Sequence, residues 1–211
     1  MRLLFIFCSI IIADFSFAQT ADYPDYRSKK DLFTRIQEKD VRSDVATFTM
    51  AGIDESVGKL PLKTIPVKET TSKSITFSGN NIRVVITTAP FDGTKHKLNY
   101  YENKHLVKID NKPFFGDYGK VPKTQIRSVV VTIDKDTIAF PPTAWIDLYN
   151  PILSVNDRGT IKTNNKVLLS ADGRKVYVYM LKQESGGSYE VTWIIQDKKF
   201  LRRVVDFGFL K

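Results

Sequence analysis

The chain has 211 residues, a formal net charge of +9 and a single cysteine, Cys8. Because Cys8 lies inside an apolar leader, the rest of the chain can build neither a disulfide nor a thiolate metal site, and its stability must come from a packed core. After residue 18 no run approaches the roughly 20 apolar residues that a helical membrane span requires.

The leader reads as a secretory signal over residues 1–18. Arg2 supplies its positive end, Leu3 to Ile12 its apolar stretch and Ser16-Phe17-Ala18 a small-x-small cleavage site, so the mature chain is expected to start at Gln19. This places the protein in the periplasm or outside the cell. A polar segment, 19–30, is expected to be a flexible leader to one all-β domain over 31–211.

At the start of that domain, Ser28 and Asp31 stand at capping-box spacing ahead of Leu32, Phe33 and Ile36, predicting a short helix that ends near Lys39. Alternation over Val45 to Met50 predicts a strand. Gly52, Gly58, Pro61 and Pro66 then break 51–69 into short extended pieces. Ser74 to Phe77 and Ile82 to Thr88 read as a hairpin about Gly79-Asn80, with Val84, Ile86 and Thr88 on one face.

Residues 95–112 hold both histidines. A turn at Glu102-Asn103 would pair Tyr100 with His105, Leu98 with Val107 and His96 with Ile109. The two imidazoles then lie more than about 10 Å apart at roughly 3.3 Å per residue, too far to share a metal ion. Asp110, Asn111 and Asp117 offer loop oxygens, but three do not make the six to eight that calcium takes. No metal and no cofactor is expected.

Ile126 to Ile133 and Thr137 to Phe140 predict a hairpin turning at 134–136, with Val129, Val131 and Ile133 inward. Pro141-Pro142 stops it, and Thr143 is placed to cap a helical turn through Trp145, Ile146, Leu148 and Tyr149. Asp147 sits among these apolar residues with no second acid beside it.

The C-terminal third organises the rest. Four apolar runs, 166–171, 175–182, 188–196 and 199–207, are separated by Asp172-Gly173, Gly186-Gly187 and Asp197-Lys198, the pattern of a β-meander. A two-residue type I′ loop at Asp172-Gly173 sets Leu169 opposite Val176 and Val167 opposite Val178. Residues 175–181 are apolar on both faces, so that strand should be central and covered on both sides. In the last hairpin a two-residue loop puts Arg202 across from Trp193, whereas a three-residue loop puts Arg203 there and also matches Val191 with Val205 and Tyr189 with Phe207.

The expected fold is an all-β antiparallel sandwich of about ten strands with one or two short helical turns; a half-open β-barrel is the alternative. Motifs of hydrolases, metalloproteases, nucleotide-binding loops and dinucleotide folds are absent. Charge is uneven: residues 95–127 carry eight Lys and Arg against three Asp and Glu. With export disfavouring nucleic acid, the expected function is a non-enzymatic binding module for an acidic or carbohydrate component of the envelope. Trp193, Arg202, Arg203, Tyr100 and His105 are the candidate ligand residues, because a cation beside an aromatic face suits a sugar or an anion. The alternative is a glycoside hydrolase working through two carboxylates, whose separation a sequence does not reveal.

Overall fold

Alternating and β-branched runs make strands wherever a left-handed turn can reverse them, and the computed structural model, which describes residues 32–207, shows fourteen. They are β1 (Lys63–Ile65), β2 (Val67–Thr70), β3 (Ser74–Gly79), β4 (Ile82–Pro90), β5 (Leu98–Tyr101), β6 (His105–Ile109), β7 (Thr124–Ile133), β8 (Asp136–Ile138), β9 (Val155–Asp157), β10 (Thr160–Lys162), β11 (Lys166–Leu169), β12 (Lys175–Lys182), β13 (Tyr189–Gln196) and β14 (Lys199–Phe207). The count exceeds the expected ten because four of them, β1, β8, β9 and β10, are three-residue pieces.

Two five-stranded sheets form a sandwich, in the orders β1-β11-β12-β13-β14 and β2-β3-β4-β7-β8, with every pairing antiparallel and no closed barrel. Their facing sides share one core, in which Phe77, Val84, Ile86 and Val131 from one sheet pool with Val178, Met180, Val191 and Trp193 from the other. The C-terminal meander is therefore the structural centre, and β12, buried at all eight positions, is its middle strand. Its second face carries a separate apolar cluster formed by Tyr177, Tyr179, Leu181 and Ile194 with Phe33, Val41, Val45 and Phe48.

That second cluster overturns the reading of 28–50. Lys39–Ala46 is an α-helix, α1, not the approach to a strand, and Val45 and Ala46 belong to its last turn. Val41 and Val45, four residues apart, share one helical face, and packing that face on Tyr177 and Tyr179 outweighs a six-residue alternation. Among the described residues ahead of it, Phe33–Arg35 forms a 3-10 turn with Leu32 at its N-cap; Ser28 and Asp31 lie outside the described residues. The later helical turn is also 3-10, Pro142–Ala144, led by Pro141 rather than capped by Thr143.

Registers in the meander agree with expectation, while the turns that set them differ. Leu169 faces Val176 and Val167 faces Val178, yet only Gly173 of the Asp172-Gly173 pair has positive φ, so the turn is not type I′. Asp172 instead accepts bonds from Ser170 Oγ and the Arg174 N–H, a side-chain-braced turn. In the last hairpin Asp197 and Lys198 are both left-handed, the two-residue loop, but a bulge at Leu201 shifts the ladder and brings Arg203 opposite Trp193. Loop length follows one expectation and register the other.

Candidate functional site

Between β4 and β7 the chain leaves the sandwich to build an insertion, the β5–β6 ribbon and the loop returning from it. Turns with positive φ at Glu102, Asn103, Asp110 and Asn111 fold it. A bulge beside Tyr100 corrects the expected register: Tyr101, not Tyr100, faces His105, and Leu98 faces Ile109. Leu98, Leu106, Ile109, Phe114 and Tyr149 bury a third small core beneath it, closed by Phe91. His96 stacks on Phe91 with ring centroids 4.8 Å apart, and its Nδ1 lies 2.7 Å from Asp110 Oδ2. The His96 ring, with the Lys97 N–H at the other oxygen, holds the Asp110 carboxyl below the usual carboxylate range. Burial, aided by Asp110 and Asp147, pushes the Tyr149 phenol up to about 12.

Where the insertion meets the β12–β13 loop, a half-open hollow of about 260 Å³ appears. Leu106, Phe114, Phe115, Tyr189 and Phe207 give it apolar walls, and the segments 116–119 and 185–188 form its lip. The two lips touch at the backbone. Tyr118 N–H donates to Gly186 O at 2.8 Å, and a Cβ on Gly187 would stand 2.2 Å from Gly116 O, so no larger residue fits there. Behind them Lys182 is wholly buried, and its Nζ donates to Asp117 Oδ1, Gly187 O and Glu184 Oε2 at 2.7, 2.8 and 2.9 Å. Asn150 Nδ2 donates to the other Asp117 oxygen at 2.7 Å, while Asn150 Oδ1 accepts the N–H groups of Lys123 and Thr124. This network fixes the shape of the hollow.

Outside the hollow the surface carries exposed aromatic and cationic side chains. Tyr118 is 45% exposed, and the exposed His105 ring lies 6.4 Å from it. Lys97, Lys104, Lys112, Lys120, Lys123 and Arg127 are exposed and make no ion pair with any described residue. The compositional excess in 95–127 thus consists largely of exposed charge, most of it on the insertion and Arg127 on β7.

The five candidate residues go to three places. Tyr100, 44% exposed, and His105 lie on the ribbon. Trp193 is fully buried, its indole N–H donating to Ala144 O at 2.7 Å, so it belongs to the core rather than to a surface platform. Arg203, opposite it, grips both oxygens of Asp147 and reaches Ala144 O, which gives Asp147 the partner it lacked in the sequence. Arg202 points to the other face of the sheet, bonded to Glu38 in a groove shared with Arg35 and Arg42. Tyr118, Phe207 and the 185–188 loop were missed. Their aromatic and glycine content was visible, but their meeting depends on how the insertion crosses the end of the sandwich.

Among the described residues, three lysines each bridge two acids. Lys182 Nζ stands between Asp117 and Glu184, Lys198 Nζ between Asp134 and Asp136 at 2.7 and 2.9 Å, and Lys175 Nζ between Asp40 and Asp172 at 2.8 and 3.8 Å. Among the described residues, no group of three or more His, Cys, Asp or Glu is placed to hold a metal ion, and no helix is long and apolar enough to cross a membrane.

The class these features define is an all-β sandwich with a basic ribbon inserted between two strands of one sheet. No protein-family model, curated protein or solved structure matches the chain.

Proposed function

We propose that this chain is an exported, non-catalytic binding module of the cell envelope or extracellular space, and that its ligand is an acidic glycan held at the inserted ribbon. The observation that carries this reading is the set of exposed cations Lys97, Lys104, Lys112, Lys120 and Lys123, which make no ion pair with any described residue, on the insertion whose Tyr118 edges the hollow. Carboxylate or sulfate groups would meet the lysines, and a sugar ring would lie on the Tyr118 face, where aromatic contact is added to charge.

Titration with a uronate-containing or sulfated polysaccharide, beside a neutral glucan, tests it. Affinity for the acidic polymer should fall steeply as salt is raised, because exposed charges are screened within about 10 Å at 0.1 M salt. Changing Lys97, Lys104 and Lys112 together to Glu should lower that affinity at least tenfold. Equal, salt-insensitive binding of both polymers, or no loss in the triple variant, would overturn the assignment.

A further inference from the structure

Lys182 closes β12 with its side chain entirely out of water, 65 residues from its partner Asp117. As a stabilising ion pair it is an expensive choice, since stripping water from two charges offsets much of their attraction. The neighbours of the pair are those a condensation reaction needs. The Lys182 nitrogen lies 2.7 Å from one oxygen of the carboxyl group, so the two reacting groups are held in direct contact. The other oxygen accepts from Asn150 Nδ2, a donor anchored through its own Oδ1 by two backbone N–H groups. A second carboxylate, Glu184, touches the same nitrogen.

We propose that Lys182 and Asp117 become joined by an intramolecular amide bond. One proton passes from Nζ to Asp117 Oδ1 along the existing hydrogen bond, giving an amine and a carboxylic acid with no change in total charge. The nitrogen lone pair attacks Cγ, and the displaced electron pair collects on Oδ2, where the Asn150 amide donates. Glu184 takes one proton from the nitrogen and returns it to the Oδ1 hydroxyl. The carbonyl re-forms, the Cγ–Oδ1 bond breaks, and water leaves through the hollow that Asp117 lines. One N–C bond replaces one C–O bond, one water is released, Glu184 is regenerated, and no oxidant or cofactor is consumed.

The consequence is a covalent tie between the central strand of the meander and the loop returning from the ribbon, in a chain whose only cysteine is Cys8. Like a disulfide, it would stabilise chiefly by restricting the unfolded chain. It would also hold the two lips of the hollow in place without any contribution from its ligand, so it stands independently of the function proposed above.

Mass spectrometry of the purified full chain, denatured and then digested with trypsin, decides the matter. The expected result is one branched peptide containing Asp117 and Lys182, lighter than its two parts by one water, with no cleavage after Lys182. Lys182→Arg should remove it. Asp117→Asn should restore it with loss of ammonia in place of water. Glu184→Gln, at a half-exposed position that leaves the fold intact, should leave Lys182 cleavable. Wild-type protein that digests normally after Lys182, with both peptides at their full masses, overturns the proposal; a branched peptide persisting in Glu184→Gln overturns the part given to Glu184.

Discussion

The two sheets of the sandwich share a core but differ in their outer faces. In the sheet of β2, β3, β4, β7 and β8, burial alternates: Ile82, Val84 and Ile86 are buried, while Arg83, Arg127 and Val130 look outward to water. In the meander both faces are covered, the second by α1 and the 3-10 turn before it. The difference teaches that the N-terminal segment is held by polar anchors as well as apolar ones. Tyr177 OH donates to Asp44, and Tyr179 OH donates to the buried Glu190, whose oxygens also accept the N–H groups of Met50 and Ala51. A sheet face covered by a short helix leaves tyrosine hydroxyls and loop amides to be satisfied, and carboxylates perform that task.

Four substitutions or conditions sharpen this contrast. Trp193→Ala, at the shared core, should cost about 3–5 kcal/mol, read as a lower denaturant midpoint. Glu190→Ala should come next, at about 2–4 kcal/mol, because orphaned buried donors cost about 1–3 kcal/mol each and water recovers part of this. It should also make α1 susceptible to proteolysis while the opposite sheet keeps its amide protection; equal loss of protection in both sheets would break the comparison. The third effect is alkaline. Burial raises the phenols of Tyr177, Tyr179 and Tyr189, and that of Tyr149 to about 12 from an ordinary value of 10.0. A raised phenol stabilises fully below its unfolded value, and that contribution is lost as pH climbs toward the folded one. Stability should therefore decline from about pH 10 upward, with Tyr149 losing its share between 10 and about 12, followed by phenolate absorbance during denaturant titration. A smaller phenolate signal at pH 10 in folded Tyr149→Phe than in folded wild type would contradict it. The smallest change is expected from Val130→Thr on the wet face of the other sheet, within about 0.5 kcal/mol of wild type in the same denaturant assay.

Strong period-2 runs bounded by Asn, Asp and Gly were legible because side-chain alternation and left-handed turns are local properties. The 74–90 hairpin, its turn moved one place to Asn80-Asn81, and the buried faces of β7 and β12 all came from such signals. Val45 was misread because six residues with mixed alternation fit a strand or a helix, and only its neighbours decide. Trp193 was misread as a surface residue for a related reason: the pattern showed which residues share its face, but not that a second sheet and Ala144 cover it.

What the chain order by itself determined is the two-sided apolar strand, its meander neighbours and the cationic insertion, since each depends on residues close in sequence. Only the tertiary structure decided which outer face α1 would cover, that Arg203 would go to Asp147 and Arg202 to Glu38, and that residues 114–119 would meet 185–188 around Lys182. Those contacts join segments far apart in the chain, and burial and charge pairing select among such partners only once the sheets have packed.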